Sequence, residues 1–138
     1  MMSPLLLDTC AAIWIAEGIA LAREATQALD EAYDASVPAY VSPITAWEIG
    51  LLVARGRLTL LIKPELWFAR LMEVLNLRQA DMSADVLIAS SFLPGSPPRD
   101  PADRIIAATA RECGYRLVTR DRPLLAYGEA GHIQVLAC

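Results

Sequence analysis

One histidine, one lysine and three widely spaced cysteines leave little room for several kinds of chemistry. Cys10, Cys113 and Cys138 provide neither the even count of a disulfide framework nor the paired CxxC spacing of a zinc site, and they suit a reducing cytosol. No GxSxG, Walker A or GxGxxG pattern occurs, which argues against a nucleophile elbow, a phosphate loop and a dinucleotide fingerprint. His132 stands alone at the start of a terminal strand pattern, with no nucleophile pattern beside it, and reads as a packing residue. The longest charge-free runs, Ala35 to Trp47 and Val86 to Pro98, are thirteen residues, short of the ~18 that would span a membrane. The apolar N-terminus lacks a basic leader and is interrupted by Asp8 and Glu17. A soluble, unexported, cytoplasmic protein with no membrane partner is expected.

What is abundant is apolar surface. The chain has 138 residues, a size that suits one domain over positions 1–138, and 55% of it is hydrophobic with a mean hydropathy of +0.37. That is more than a lone monomer comfortably hides, so a partner protein or a homodimer is expected. Twelve basic and sixteen acidic residues give a net charge of −4. No global positive field therefore draws the chain to a polyanion, and any nucleic-acid role needs local cations or bound metal.

Short apolar runs alternate with helical patterning. Strands are expected at Pro4–Leu7, Ala39–Val41, Leu77–Ala80, Tyr115–Thr119 and His132–Leu136. Helical stretches fall at Thr9–Ile15, Leu21–Ala35, Pro64–Leu75, Ser83–Phe92 and Arg122–Tyr127. Two more helices open on a cap followed by proline: Ser42-Pro43, closed by Gly56, and Asp100-Pro101, running to Cys113 with Gly114 as its stop. The helix from Pro43 is apolar on almost every face and reads as buried. The alternation implies an α/β fold, a parallel sheet covered on both faces in three α/β/α layers.

In such a sheet the polar crevice lies beyond the C-terminal strand ends. Asp8 follows Leu5-Leu6-Leu7, Asp121 follows Leu117-Val118-Thr119, and Asp103 lies in the first turn of the helix from Pro101. Glu48 is the most informative acid, because it occupies an apolar helical stripe between Ile44 and Leu52 with no cation at i±3 or i±4. Burying it alone is costly, so a non-local positive charge is expected to neutralise it. Carboxylates gathered at one edge repel unless a cation holds them ionised, and an all-oxygen set suits Mg²⁺ or Mn²⁺ and phosphoryl transfer. Each aspartate also fits a plainer role: Asp8, Asp100 and Asp121 as helix caps, and Asp103 as a complement to the helix dipole. Glu48, in mid-helix, has no such alternative. Arg99, Arg104, Arg120 and Arg122 flank the acids and stand as candidate RNA phosphate contacts, the other arginines as a solvated face.

The segments Leu6-Leu7-Asp8-Thr9, Trp47-Glu48-Ile49-Gly50, Asp100 to Ala110 and Leu117-Val118-Thr119-Arg120-Asp121 together resemble the PIN-domain family, most closely its VapC-type toxins of bacterial toxin–antitoxin pairs. The resemblance spans the chain from first strand to last. It implies a five-stranded parallel sheet of order 3-2-1-4-5 and a Mg²⁺- or Mn²⁺-dependent endoribonuclease with Asp8, Glu48, Asp103 and Asp121 as metal ligands. Thr119 matches the family's hydroxyl residue beside the last acid and would orient a carboxylate or water; Thr9 would act alike, and Asp100 is a secondary candidate. Ala102 departs from the aromatic that many relatives have there. The resemblance also implies an RNA substrate, typically tRNA or rRNA, a homodimer, and an antitoxin whose C-terminal segment lies in an apolar groove. The groove expected here lies between the helix bearing Trp47 and Leu51 and the segment from Leu58 to Leu71, with Leu61, Trp67 and Phe68 available; the same residues also suit an ordinary core.

Two competing functions remain at this stage. One is a catalytically inactive PIN-like interaction module, which the retention of all four acids argues against. The other is a metal-dependent phosphatase or phospho-receiver suggested by Asp8-Thr9, although Cys10 stands where the haloacid-dehalogenase pattern needs a second aspartate.

Overall fold

The computed structural model describes residues 3–138. Five parallel strands form one sheet in the order β3-β2-β1-β4-β5, with β1 at Leu5–Leu7, β2 at Tyr40–Val41, β3 at Arg78–Gln79, β4 at Arg116–Thr119 and β5 at Gln134–Ala137. The central strand β1 is leucine throughout and wholly buried, as a parallel strand covered on both faces must be. Both residues of the edge strand β3 are exposed.

Side-chain alternation along β1 divides the core in two. Leu5 and Leu7 point into one layer with Ala11 and Ala12 of α1 (Thr9–Ala16), Ala25 and Ala32 of α2 (Arg23–Asp34) and Leu71. Leu6 points into the other with Val86 of α5 (Ala84–Ala89), Ile106 of α6 (Pro101–Cys113) and Leu124 of α7 (Arg122–Glu129). Gly128 lets α7 lie close on β5, since a Cβ there would overlap the Val135 methyls. Three layers result, with the strand order that the family resemblance implies.

Helix α3 (Pro43–Ala54) departs from expectation. Although apolar on nearly every side, it fully buries only Thr45 and Ile49, and Trp47 is 56% exposed. The reason is its place: α3 touches α1, α4 (Pro64–Val74) and α6, which leaves its outer side uncovered. His132 precedes β5 and packs against the Tyr127 ring, a structural setting. Among the described residues no helix is long and apolar enough to cross a membrane.

Candidate active site

The strand order places β1 beside β4, where the connections leave in opposite directions and a crevice opens beyond the strand ends. Asp8 follows β1 directly. It is 5% exposed and does two things: Oδ1 accepts from the Ala11 amide at 2.7 Å, capping α1, and Oδ2 accepts from the Thr119 hydroxyl at 2.5 Å. Thr119, the last residue of β4, in turn accepts from the Asp121 amide at 3.0 Å. Asp121 caps α7 through the Leu124 amide at 3.1 Å, and Asp100 caps α6 through the Asp103 amide at 3.0 Å. The cap roles open at the sequence level are therefore real for Asp8, Asp100 and Asp121, and for Asp8 and Asp121 each cap uses one carboxylate oxygen.

Glu48 reaches the same edge from α3. Its hydrogen-bond partner is a neutral hydroxyl and not a cation: Oε1 accepts from Thr9 Oγ1 at 2.5 Å. Thr9 Oγ1 also lies 2.9 Å from the hydroxyl of Thr45, which is fully buried. Thr45 escaped the sequence reading, because one threonine in an apolar helix carries no spacing signal and its partner is 36 residues away.

The electrostatics show how close the acids are. Burial pushes the Asp103 carboxyl up to about 7, and Asp100, Asp121, Glu48 and Asp8 push in the same direction. Burial likewise raises Asp8 and Glu48 above the ordinary carboxylate range, against the lowering effect of the Thr119 and Thr9 hydrogen bonds. Cys10, in the first turn of α1, reports on all four acids at once. Partial desolvation, then Asp8, Glu48, Asp103 and Asp121, push its thiol to about 11, so it stays protonated.

Among the described residues no three His, Cys, Asp or Glu side chains are grouped so as to hold a metal ion together. The donor set does fit a hard, well-hydrated divalent ion, which takes one or two carboxylates and keeps several waters. Glu48 Oε2 has no hydrogen-bond partner among the described residues, and Asp8, Asp103 and Asp121 retain unused oxygen lone pairs.

The PIN-domain family model matches residues 5–129. The chain belongs to the PIN-domain family. Ribonuclease VapC22 of Mycobacterium tuberculosis is 38% identical over 127 residues, covering 91% of this PIN domain and 93% of the relative. VapBC2 from Rickettsia felis, solved bound to a DNA fragment from its promoter, has the same fold with a TM-score of 0.62 at 15% identity, over 96% of this chain and 97% of that one. FitAcB from Neisseria gonorrhoeae gives a TM-score of 0.52 at 22% identity, over 96% of each chain.

The remaining candidates of this PIN domain divide by what they touch. Arg104 donates to the Ser90 oxygen at 2.9 Å and the Pro98 oxygen at 3.3 Å, tying down the proline-rich loop instead of facing a phosphate. Arg120 donates to the Cys138 oxygen at 2.6 Å and stacks 4.1 Å over Trp14, so it too is engaged within the fold. Arg99 and Arg122 are exposed. Of the groove residues, Trp67 and Phe68 pack against the core under α4, Leu51 is half-buried, and Trp47 and Leu61 are exposed. An apolar hollow of about 720 Å³ lies elsewhere, lined by Ile15, Leu21, Leu29, Tyr33 and Leu75. It was not legible in the sequence because its walls come from separate elements.

Proposed function

We propose that this PIN domain is a divalent-metal-dependent endoribonuclease acting as the toxin of a toxin–antitoxin pair. The observation that supports this reading is the acidic surroundings of Asp103, whose carboxyl is pushed up to about 7 by burial and, in the same direction, by Asp100, Asp121, Glu48 and Asp8. Such a group of acids is electrostatically incomplete until a cation joins it. The relationship to Ribonuclease VapC22 supports the RNA substrate.

Asp8, Glu48 and Asp103 would hold Mg²⁺ or Mn²⁺, with Asp121 completing the set. When bound, such an ion would supply positive charge to a phosphate and lower the pKa of a water. The chain's own residues do the rest. Thr119 fixes the rotation of Asp8, and Thr9 fixes that of Glu48. Asp121, with one oxygen on the Leu124 amide, keeps the other to accept a proton from the attacking water. Arg99 and Arg122, exposed beside the edge, meet flanking phosphates.

The exposed apolar surface at Trp47 and Leu61 is assigned to a cognate antitoxin segment, and that at Leu87, Ile88 and Phe92 to a second copy of the chain. The assemblies named for VapBC2 and FitAcB support a protein partner. The deciding experiment is cleavage of total RNA, tRNA and rRNA included, with Mg²⁺ or Mn²⁺ and with EDTA, comparing wild type with Asp8→Asn and Glu48→Gln. Loss of cleavage in EDTA and in both variants is expected; undiminished cleavage by Asp8→Asn would overturn the assignment.

A further inference from the structure

Thr45 and Glu48 sit one turn apart on α3, the first fully buried and the second at the crevice. Between them lies the hydroxyl of Thr9, 2.9 Å from Thr45 Oγ1 and 2.5 Å from Glu48 Oε1. A threonine hydroxyl has one proton and two lone pairs, and an ionised carboxylate only accepts. The Thr9 proton therefore goes to Glu48. At its contact with Thr45, Thr9 can then only accept, so Thr45 is the donor. The other half of the site is built alike: the Asp121 amide donates to Thr119 Oγ1, and Thr119 donates to Asp8 Oδ2. In each half a carboxylate is held by a threonine that is itself oriented by a further donor, and a hydroxyl already accepting a hydrogen bond donates more strongly.

We propose that Thr45 is a positioning residue for RNA cleavage, acting through Thr9 to fix the Glu48 carboxylate in the orientation that receives the metal. The proposal rests on the ribonuclease reading above and deepens it. Thr45 has no role in contacting RNA or the ion; it sets the direction of the hydrogen-bond chain that ends on Glu48. Outer partners of this kind typically contribute about 10- to 100-fold to metal affinity or turnover.

The test compares Thr45→Val, Thr45→Ser and wild type by three measurements: Mn²⁺ binding to the full chain followed by electron paramagnetic resonance of free Mn²⁺, kcat and KM for RNA cleavage, and thermal melting. Thr45→Val is expected to bind Mn²⁺ about tenfold more weakly and to lose about tenfold in kcat with KM little changed. Thr45→Ser keeps the donor and is expected to bind and cleave like wild type, although it melts lower because it loses a buried methyl group. A residue needed only for packing would give the opposite ranking. Thr45→Ala removes the same hydroxyl and serves if valine disturbs the packing. In a Thr9→Val background, Thr45→Val is expected to cause no further loss of Mn²⁺ affinity. The proposal fails if Thr45→Val binds and cleaves like wild type, if serine does not rescue, or if the losses follow the melting temperatures. If wild type neither binds Mn²⁺ nor cleaves RNA, the ribonuclease reading falls and takes the proposal with it.

Discussion

Asp8 both caps a helix and belongs to the acidic group, and the two roles separate under substitution. Asparagine still accepts the Ala11 amide but turns an NH₂ toward Thr119 in place of the acceptor oxygen, so Asp8→Asn is expected to keep its helix, with a modest change in melting temperature, while losing metal-dependent cleavage. Circular dichroism and the RNA assay on one preparation check this. Asp103 makes a sharper prediction. Its carboxyl is raised from 3.8 to about 7, so the folded state holds a proton that the unfolded chain has released. Its contribution to stability is fully present below about pH 4 and is lost as pH rises through 7. Asp103→Asn does not ionise, so in EDTA it is expected to melt above wild type at pH 8 and to lose that advantage as the pH falls toward 4. Melting curves across this range, in which a constant difference would contradict the idea, decide it. Asp8 and Asp121 were legible because they follow apolar strand runs, and Glu48 because a charge in an apolar stripe needs a reason. Thr45 was not, since the geometry that gives it meaning joins two helices distant in sequence.

Helix boundaries were legible wherever a cap meets a proline, and Ser42-Pro43, Asp100-Pro101 and Asp121-Arg122-Pro123 all open helices as such chemistry dictates. What an apolar helix packs against was less legible: the composition of α3 suggests burial, whereas its position against α1, α4 and α6 leaves Trp47 outside. Likewise, adjacent residues on one helix have different fates, and Trp67 and Phe68 turn to the core while Leu66 stays exposed. The loop before α6 shows how a connection becomes rigid. Arg104 holds the Ser90 and Pro98 oxygens, Tyr127 donates to the Pro94 oxygen at 2.6 Å, and Gly95 lies against the His132 imidazole with φ of +68°. A Cβ at Gly95 would meet that ring in a backbone conformation L-residues rarely adopt. Gly95→Ala is therefore expected to cost about 1–3 kcal/mol, measured by urea denaturation, with the loop loosening first. An unchanged denaturation midpoint would mean the loop is less constrained than its contacts indicate.

For the molecule as a whole, the layered parallel sheet was legible, because strand–helix alternation admits few arrangements, whereas the strand order rested on the family resemblance. The uneven packing of its layers was not legible. Helix α2 buries only Ala25 and Ala32 fully, adds the partly buried Leu29, and borders the hollow of about 720 Å³, so few apolar side chains fix it to the sheet. Elements held by few apolar contacts open at low free energy without the rest of the fold following. In deuterated buffer, the amides of α2 are expected to exchange well before those of β1, β4 and α6; equal protection throughout would refute this. Asp8, Thr119 and Asp121 are tied to the central strands, and Glu48 to the start of α1. The domain can thus breathe along one flank while its charged edge keeps its register.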